Sequence, residues 1–457
     1  MLFSSNVFLF CFLPVAIIIY YIVLKKTLKG RNLFLLIISL FFYAWGEPVY
    51  VLLMLFSLLV NYFCGISISK NSSYKKLILI IGIILNLSSL FIFKYFDFTV
   101  TTINSIAKSS IPLLSLSLPI GISFYTFQGI SYLIDVYRGE GKAQKSFMNV
   151  ALYISFFPQL IAGPIVRYTQ IENQLTERCH SIKNFSSGVE RFILGLGKKA
   201  FLANNLALVA DNAFEFSKSS SISALMAWLG IIAYTLQIYF DFSGYSDMAI
   251  GLGKMFGFNL PENFNFPYIA RSISEFWRRW HMTLQCWYKD YIYIPLGGNR
   301  VATPRYIFNV FIVWLLTGLW HGANWTFIIW GLMYFVLLVF EKYLKTNRLP
   351  RAIGHIVTLL FVMLGWVIFR SDTIGQAISY ISNMLCLNNN SVLDYNFGLY
   401  LKEYAVFLIL GIAFSMPLYK IMEKNIWIKY IFITLVFVVS VSYIVRGSYN
   451  PFIYFNF

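Results

Sequence analysis

The sequence has 457 residues, of which 58% are hydrophobic and 12% are charged, and its mean hydropathy is +0.68. This composition is far too apolar for a soluble globular protein and indicates an integral membrane protein. The 36 Lys and Arg residues outnumber the 19 Asp and Glu residues. Basic residues collect in the cytoplasmic loops of membrane proteins, so this excess does not indicate a nucleic-acid partner. The five cysteines show no CxxC spacing, and neither a disulfide framework nor a metal site is indicated.

The first third of the chain alternates between apolar runs and basic loops. Since a bilayer crossing needs about 20 mostly apolar residues, the chain has room for roughly 10–12 crossings. Residues 7–24 follow no basic residue and precede Lys25 and Lys26, which predicts a retained helix with its N-terminus outside the cell. Further apolar runs cover residues 33–44, 49–66, 77–93, 111–136 and 147–165, and prolines and glycines interrupt the last two.

The middle of the chain is less regular. Residues 167–223 are polar enough for interfacial helices, and residues 225–240 form a predicted crossing. Residues 241–300 carry Asp241, Asp247 and other charges among aromatic residues, glycines and prolines. Charges at membrane depth must be shielded by protein or by a water-filled cavity. We therefore predict a re-entrant segment here, within a catalytic region that covers about residues 241–331.

The last third of the chain returns to regular apolar runs. Basic loops between these runs are expected on the cytoplasmic side, which places the C-terminal tail, residues 447–457, outside the cell like the N-terminus. The sequence shows no tandem repeat and predicts an all-α polytopic membrane protein that forms a single integral domain over residues 1–457. The predicted crossings of this part are residues 306–320, 325–340, 356–369, 404–419 and 430–445.

Two of the four histidines are candidate functional residues. His180 and His355 lie near basic loops and are expected at the surface and at the membrane interface. His281 lies in the predicted re-entrant segment, and His321 lies between two apolar runs. An ionisable group at membrane depth is costly and is a functional candidate for that reason. The alternative for each is a buried imidazole that only forms a hydrogen bond to a carbonyl group.

A buried imidazole suits one reaction in particular. Desolvation disfavours its charged form, and a neutral imidazole can act as a general base toward a hydroxyl group. Acyl transfer needs such a base, because the acceptor oxygen loses a proton as it attacks a thioester or an ester. The sequence contains no GxSxG, Walker or HExxH motif that would indicate hydrolysis, nucleotide chemistry or zinc.

Several long runs resemble sequences of the membrane-bound O-acyltransferase family. Within this family they are most similar to the branch of bacterial alginate and peptidoglycan O-acetylation proteins. The resemblance covers nearly the whole chain and implies a helical fold around a central funnel through which acyl groups cross the membrane. The matching runs are PIGISFYTFQGISYLIDVYRG (119–139), FFPQLIAGPIVRY (156–168), YFDFSGYSDMAIGLGKMFGFNLPENFNFPY (239–268), ISEFWRRWHMTLQCWYKDYIYIPLGGNR (273–300) and TGLWHGANWTFIIWG (317–331).

The resemblance also implies roles for both histidines. His321 corresponds to the family's catalytic histidine, and His281 to a second histidine of the bacterial branch. In this hypothesis His321 is the base that acts on the acyl acceptor, and His281 orients or polarises the donor. Arg278 and Arg279 are expected on the cytoplasmic side, where they would bind the phosphates of a coenzyme A donor. Alternatively, they anchor the segment at lipid headgroups.

The aromatic C-terminal tail is open to two interpretations. Aromatic residues at the end of a membrane protein often anchor it at the interface. The spacing of Phe452, Tyr454 and Phe457 also resembles the tail of the small acyl-carrying partner of teichoic acid D-alanylation. In that hypothesis the hydroxyl group of Tyr454 accepts the acyl group and passes it on outside the cell.

The function expected from these observations is transfer of acetyl groups from a cytoplasmic donor, acetyl-CoA, across the bacterial inner membrane. The acceptor would be a cell-surface polysaccharide or peptidoglycan, and an extracytoplasmic acetyltransferase of the SGNH-hydrolase type would complete the transfer. No bound cofactor is expected, and the other contacts are membrane lipids. The alternatives are D-alanyl transfer to teichoic acids and, from another class, a transporter with broken helices.

Overall fold

The computed structural model describes residues 1–70, 73–219, 222–344, 349–418, 425–447 and 449–453, and within these ranges the fold is all helical. The predicted all-α architecture is confirmed. The helices are Phe8–Val23, Leu28–Gly46, Val51–Ser69, Lys75–Ala107, Ile122–Arg138, Phe147–Ser155, Phe157–Leu160, Tyr168–Thr176, Ile182–Lys218, Ala224–Met255, Pro267–Ile269, Ile273–Trp277, Met282–Tyr288, Lys289–Tyr293, Thr303–His321, Trp325–Leu344, Arg351–Arg370, Ile374–Met384, Tyr395–Phe414 and Ile426–Val445.

Nine helices of the described ranges are long and apolar enough to cross a membrane. The chain is therefore a multi-pass membrane protein. Phe8–Val23 is apolar but shorter, and Thr303–His321, where the sequence predicts a crossing over residues 306–320, forms as a helix of 19 residues. The nine are Leu28–Gly46, Val51–Ser69, Lys75–Ala107, Ile182–Lys218, Ala224–Met255, Trp325–Leu344, Arg351–Arg370, Tyr395–Phe414 and Ile426–Val445.

One predicted segment differs from the structure, and a second agrees with it. The sequence predicts interfacial helices over residues 167–223, but the structure has one continuous helical segment, Ile182–Lys218, that is long enough to cross a membrane. Its four lysines and one arginine obscure its length in the hydropathy pattern. The run at residues 111–136 is expected to be broken, and its helix begins only at Ile122, after Gly121 in the left-handed conformation at φ +74°.

The predicted re-entrant segment begins too early in the sequence. Asp241 and Asp247 do not end a helix, because both lie within a single helix of 32 residues, Ala224–Met255. Each carboxylate has a cationic partner inside the protein. Lys199 Nζ lies 2.5 Å from Asp241, and Arg191 Nη2 lies 2.6 Å from Asp247. Paired charges can be buried at membrane depth, so these two aspartates do not require an irregular backbone.

The described chain forms two compact units, and the single domain expected over residues 1–457 stays a prediction. The first unit comprises Met1–Phe192 and Ser246–Glu262. Buried amides join its apolar helices: Asn61 and Asn86 each donate to the other's side-chain oxygen at 3.1 Å. Hydrogen bonds of this kind link helices where lipid offers no hydrophobic driving force.

The second unit comprises Ile193–Tyr245 and Asn263–Phe457. Two of its helices, Thr303–His321 and Trp325–Leu344, cross closely because glycines lie at their contact. A Cβ atom at Gly318 would lie 2.5 Å from the carbonyl oxygen of Phe327, and one at Gly331 would clash with the carbonyl oxygen of Trp314. This packing fixes the end of the first helix, where His321 lies.

The glycine contact gives a test of the helix pair. We expect Gly331→Ala to lower the free energy of unfolding by about 1–3 kcal/mol, because the added methyl group overpacks a backbone contact. Gly398→Ala is the control, since a Cβ atom at Gly398 would meet no neighbouring side chain or helix within 4 Å. There the same change should be neutral or stabilise by about 0.5–1 kcal/mol. The unfolding midpoint of detergent-purified protein measures both, and equal midpoints for the two variants would contradict the close crossing.

Candidate active site around His281 and His321

His321 is the last residue of the helix Thr303–His321 and is only 3% exposed. Aromatic rings surround its imidazole: the ring centroids of Trp320 and Trp330 lie 5.0 Å away, and that of Phe369 lies 5.3 Å away. The sequence-based expectation of a buried histidine at this position is correct. Its imidazole is enclosed by protein side chains and does not face lipid.

The turn after His321 is built by its sequence. Gly322 continues in an extended conformation and ends the helix. A side chain at Gly322 would clash with the ring of Phe327. Asn324 then accepts a hydrogen bond from the backbone N–H of Thr326 at 3.1 Å, which caps the helix that begins at Trp325. These two residues set the position of the imidazole between the paired helices.

His281 is 1% exposed and adopts the left-handed conformation, at φ +46°. Asn263 accounts for this arrangement. Its side-chain oxygen accepts hydrogen bonds from the backbone N–H and the hydroxyl group of Thr283, at 3.3 and 2.8 Å. The same oxygen lies 3.1 Å from Nδ1 of His281. Since this oxygen acts as an acceptor, Nδ1 of His281 is protonated and donates a hydrogen bond to Asn263.

The second ring nitrogen of His281 is available as a hydrogen-bond acceptor. Within the described residues its Nε2 atom is buried and has no hydrogen-bond partner. His281 lies outside the nine candidate crossings, and burial lowers its pKa well below the ordinary value. The imidazole is therefore neutral at physiological pH and presents an unshared lone pair. The hydroxyl group of a substrate or acceptor can supply the missing partner.

Both predicted histidines pack against the same aromatic side chain, that of Trp320. The indole of Trp320 lies 5.7 Å from the ring of His281 and 5.0 Å from that of His321, between ring centroids. Phe242 contacts His281 at 4.7 Å. The separate roles assigned to the two histidines, as base and as donor-polarising group, stay predictions.

A cavity of about 370 Å³ lies on the side of Phe369 in the second unit. Phe369 lines the cavity and packs against His321, so the cavity lies next to the candidate base. Its wall includes three buried oxygen atoms without hydrogen-bond partners in the described chain, those of Tyr234, Gln237 and Thr326. Buried polar atoms need partners, and a small polar ligand in the cavity would provide them.

The described part of the C-terminal tail argues against one of its two interpretations, the interfacial anchor. Tyr449, Pro451, Phe452 and Ile453 line the cavity, and Phe452 is 5% exposed. An interfacial anchor would leave these side chains in lipid or headgroups. Tyr454, the predicted acyl relay, lies outside the described residues.

The two arginines proposed for donor binding differ in their contacts. Arg279 pairs with Glu275 at 2.9 Å and donates to the carbonyl oxygen of Asn265 at 3.1 Å. Arg278 is exposed and donates through Nε to the carbonyl oxygen of Ser274. Arg279 therefore has a structural role in its segment, and donor binding by either residue stays a prediction.

This combination defines a class of protein. An all-helical membrane protein that buries two imidazoles away from bulk water, one of them next to a ring that lines a cavity, has the features needed to transfer an acyl group without hydrolysing it. A family model described as MBOAT, membrane-bound O-acyltransferase family, matches residues 37–371. The chain belongs to this family and is a membrane-bound O-acyltransferase, as its motifs predicted.

Three relatives show the breadth of the family around this chain. A protein of Pseudomonas aeruginosa named "Probable alginate O-acetylase AlgI" is 46% identical over 82% of this chain and 73% of its own length. The "Peptidoglycan O-acetyltransferase" of Helicobacter pylori is 37% identical over 100% of this chain and 98% of its own length. The "Teichoic acid D-alanyltransferase" of Bacillus subtilis is 30% identical over 55% of this chain and 68% of its own length.

The hydrogen bond from His281 to Asn263 gives a second test. We expect Asn263→Leu to lower acyl transfer at least about tenfold, because loss of the acceptor leaves Nδ1 of a buried imidazole unsatisfied and frees the ring to adopt the other tautomer. Thr283→Val is the matched control, because it removes another donor to the same oxygen and keeps the bond to His281. Product formed per unit of folded protein in membranes measures the effect. An equal loss in both variants would show that Asn263 only supports the backbone.

Asn263→Asp adds a pH readout to this test. A carboxylate facing Nδ1 favours the charged imidazole and raises the pKa of His281 from its lowered value. Because the neutral ring is the active form, the acid limb of the pH–activity profile should move toward higher pH in this variant. An unchanged profile would mean that activity does not depend on the protonation state of His281.

Proposed function

We propose that this protein transfers acetyl groups from acetyl-CoA at the cytoplasmic side toward the hydroxyl groups of a cell-surface polysaccharide or of peptidoglycan. The observation that carries this proposal is the buried imidazole of His321 beside a cavity, in a chain whose relatives over most of its length are named as O-acetylating enzymes. We place the protein in the bacterial inner membrane with both termini outside.

The proposed chemistry uses the two imidazoles as follows. The acceptor hydroxyl attacks the thioester carbonyl carbon of the donor, and His321 takes the hydroxyl proton. The new C–O bond forms as the C–S bond breaks, and the coenzyme A thiolate takes the proton back from His321 and leaves as the thiol, which returns His321 to its neutral form. The neutral Nε2 atom of His281 orients the donor by accepting a hydrogen bond from one of its amide N–H or hydroxyl groups, while Asn263 holds the ring in place. Arg278 and Arg279 are proposed to contact the donor's phosphates from the cytoplasmic side.

The first acceptor in this proposal is the phenolic oxygen of Tyr454. Tyr454 follows directly on Ile453, and Ile453 lines the cavity next to Phe369 and so to His321. Acetylation of the tyrosine conserves the acyl group as an ester, and a second transfer to the glycan hydroxyl restores the phenol. We propose that a secreted or membrane-tethered acetyltransferase of the SGNH-hydrolase type carries out this second transfer.

A second candidate within the family is D-alanyl transfer to teichoic acids. The B. subtilis relative favours it at 30% identity, but over only 55% of this chain. Membranes that contain the protein can be supplied with labelled acetyl-CoA or with D-alanine loaded on its carrier protein. The proposal expects label only from acetyl-CoA, and label only from the D-alanyl carrier would select the second candidate.

His321→Ala tests the catalytic assignment. We expect it to abolish acetylation, a loss of about 10²–10⁴-fold or more for a general base, while the protein still inserts in the membrane. His355→Ala is the control, because it also removes an imidazole, a partly buried one whose Nδ1 lies 3.0 Å from the carbonyl oxygen of Ala270 and away from the proposed chemistry. O-acetyl groups on isolated surface glycan are measured together with the amount of folded protein. Near-normal product from well-expressed His321→Ala protein would refute the assignment.

Tyr454→Phe tests the relay. The change removes one hydroxyl oxygen and keeps the aromatic ring, so an interfacial anchor would be unaffected. We expect product to fall to the level of the His321→Ala variant, and mass spectrometry of the wild-type C-terminal peptide to show a gain of one acetyl group. Full activity of Tyr454→Phe would eliminate the relay.

A further inference from the structure

Residues 449–453 of the C-terminal tail pack into the second unit. Phe452 and Ile453 are 5% and 8% exposed, and the ring of Phe452 lies 5.1 Å from that of Tyr245. Two polar contacts precede them. Asn450 accepts a hydrogen bond from Asn204 at 3.3 Å, and the hydroxyl group of Tyr449 donates to Asp211 at 3.1 Å.

A buried ion pair lies at the centre of this contact. Lys199 Nζ and Asp241 Oδ1 are 2.5 Å apart, and both side chains are 2% exposed. Removing two charges from water is costly, and a buried pair is retained only where further hydrogen bonds satisfy its remaining donors and acceptors. The helices of the pair, Ile182–Lys218 and Ala224–Met255, are both apolar enough to cross a membrane.

The tail supplies those further hydrogen bonds through its backbone. Lys199 Nζ donates to the carbonyl oxygen of Pro451. Asp241 Oδ2 accepts the backbone N–H of Ile453 at 2.9 Å. Lys199 also lies 5.4 Å from the ring centroid of Phe452. The ammonium group of Lys199 thus binds the tail at Pro451, and the carboxylate of Asp241 binds it two residues later, at Ile453.

The bound stretch of the tail also lines the cavity beside His321. Pro451, Phe452 and Ile453 share that cavity with Phe369, whose ring contacts the imidazole of His321. The backbone contacts end at Ile453, and the next residue in the sequence is Tyr454. An anchor at Ile453 restricts the volume that the next side chain can reach.

We propose that Lys199 and Asp241 are positioning residues that hold the C-terminal tail in the cavity beside His321. The backbone contacts make this independent of the tail's side-chain sequence, since a carbonyl oxygen and an N–H are the groups recognised. The link to catalysis rests on the proposed relay at Tyr454. The attachment of the tail does not rest on it, and the two are tested separately.

The test of attachment is hydrogen–deuterium exchange of the full-length protein in detergent. Single substitutions of the pair would leave an unpaired buried charge and endanger folding, whereas replacing both partners by apolar residues of similar size is often tolerated. We expect Lys199→Met/Asp241→Leu to speed exchange of peptides from residues 449–457 at least about tenfold. Exchange of the helix Trp325–Leu344 should not change, which shows that the unit is still folded.

A second variant leaves the ion pair intact. Ile453→Pro removes the N–H that Asp241 accepts and changes no residue of the helices. It should also speed exchange of the remaining tail amides. Lys254→Met is the control. It removes a lysine from the same helix, Ala224–Met255, but from the part of the helix that belongs to the first unit, where Lys254 contacts Ser187. Tail exchange at the wild-type rate in both the double variant and Ile453→Pro would overturn the proposal.

Acetylation measured on the same variants tests the link to function. Fast tail exchange together with product as low as in Tyr454→Phe supports both the attachment and its purpose. Fast tail exchange with wild-type product would retain the attachment but overturn its positioning role, and the relay with it. If Tyr454→Phe is active while His321→Ala is not, the relay fails and the acyltransferase assignment stands.

Discussion

Exclusion of water from an imidazole that is still able to accept a proton is the constraint on which this structure depends. An acyl group exposed to water at the reacting centre would be hydrolysed. The rings of Trp320, Trp330 and Phe369 enclose His321, and Asn263 fixes the ring of His281 so that one nitrogen stays available. The aromatic packing and the glycine contact between the paired helices both serve to hold these rings in place.

Internal pairing of charges explains how polar residues are accommodated at membrane depth. Asp241 and Asp247 lie in one long helix, and each is neutralised by a basic residue from the preceding helical segment. Pairing within the protein removes the need for lipid to solvate them. One of these pairs, that of Lys199 and Asp241, also binds the backbone of the C-terminal tail. Burial of charge and placement of the tail are thus achieved by the same two side chains.

Hydropathy, basic loops and motifs predicted the helical membrane architecture, the family and the burial of His281 and His321. They did not predict that the helix would continue through Asp241, because the sequence does not show which distant lysine neutralises a given aspartate. The role of Asn263 was missed for a similar reason, since one asparagine in an aromatic and glycine-rich stretch carries no spacing signal. The aromatic composition of the tail left an interface anchor and a relay both open, and only the structure shows that Phe452 and Ile453 are buried.

The most direct measurement of the central claim is an electron cryomicroscopy structure of the protein with a non-hydrolysable acetyl-CoA analogue. The account predicts the acyl carbonyl group next to His321, with the imidazole within hydrogen-bonding reach, about 2.6–3.2 Å, of an acceptor oxygen or a water molecule in its place. Density for the analogue at another site, with His321 still sealed among its aromatic neighbours, would contradict it.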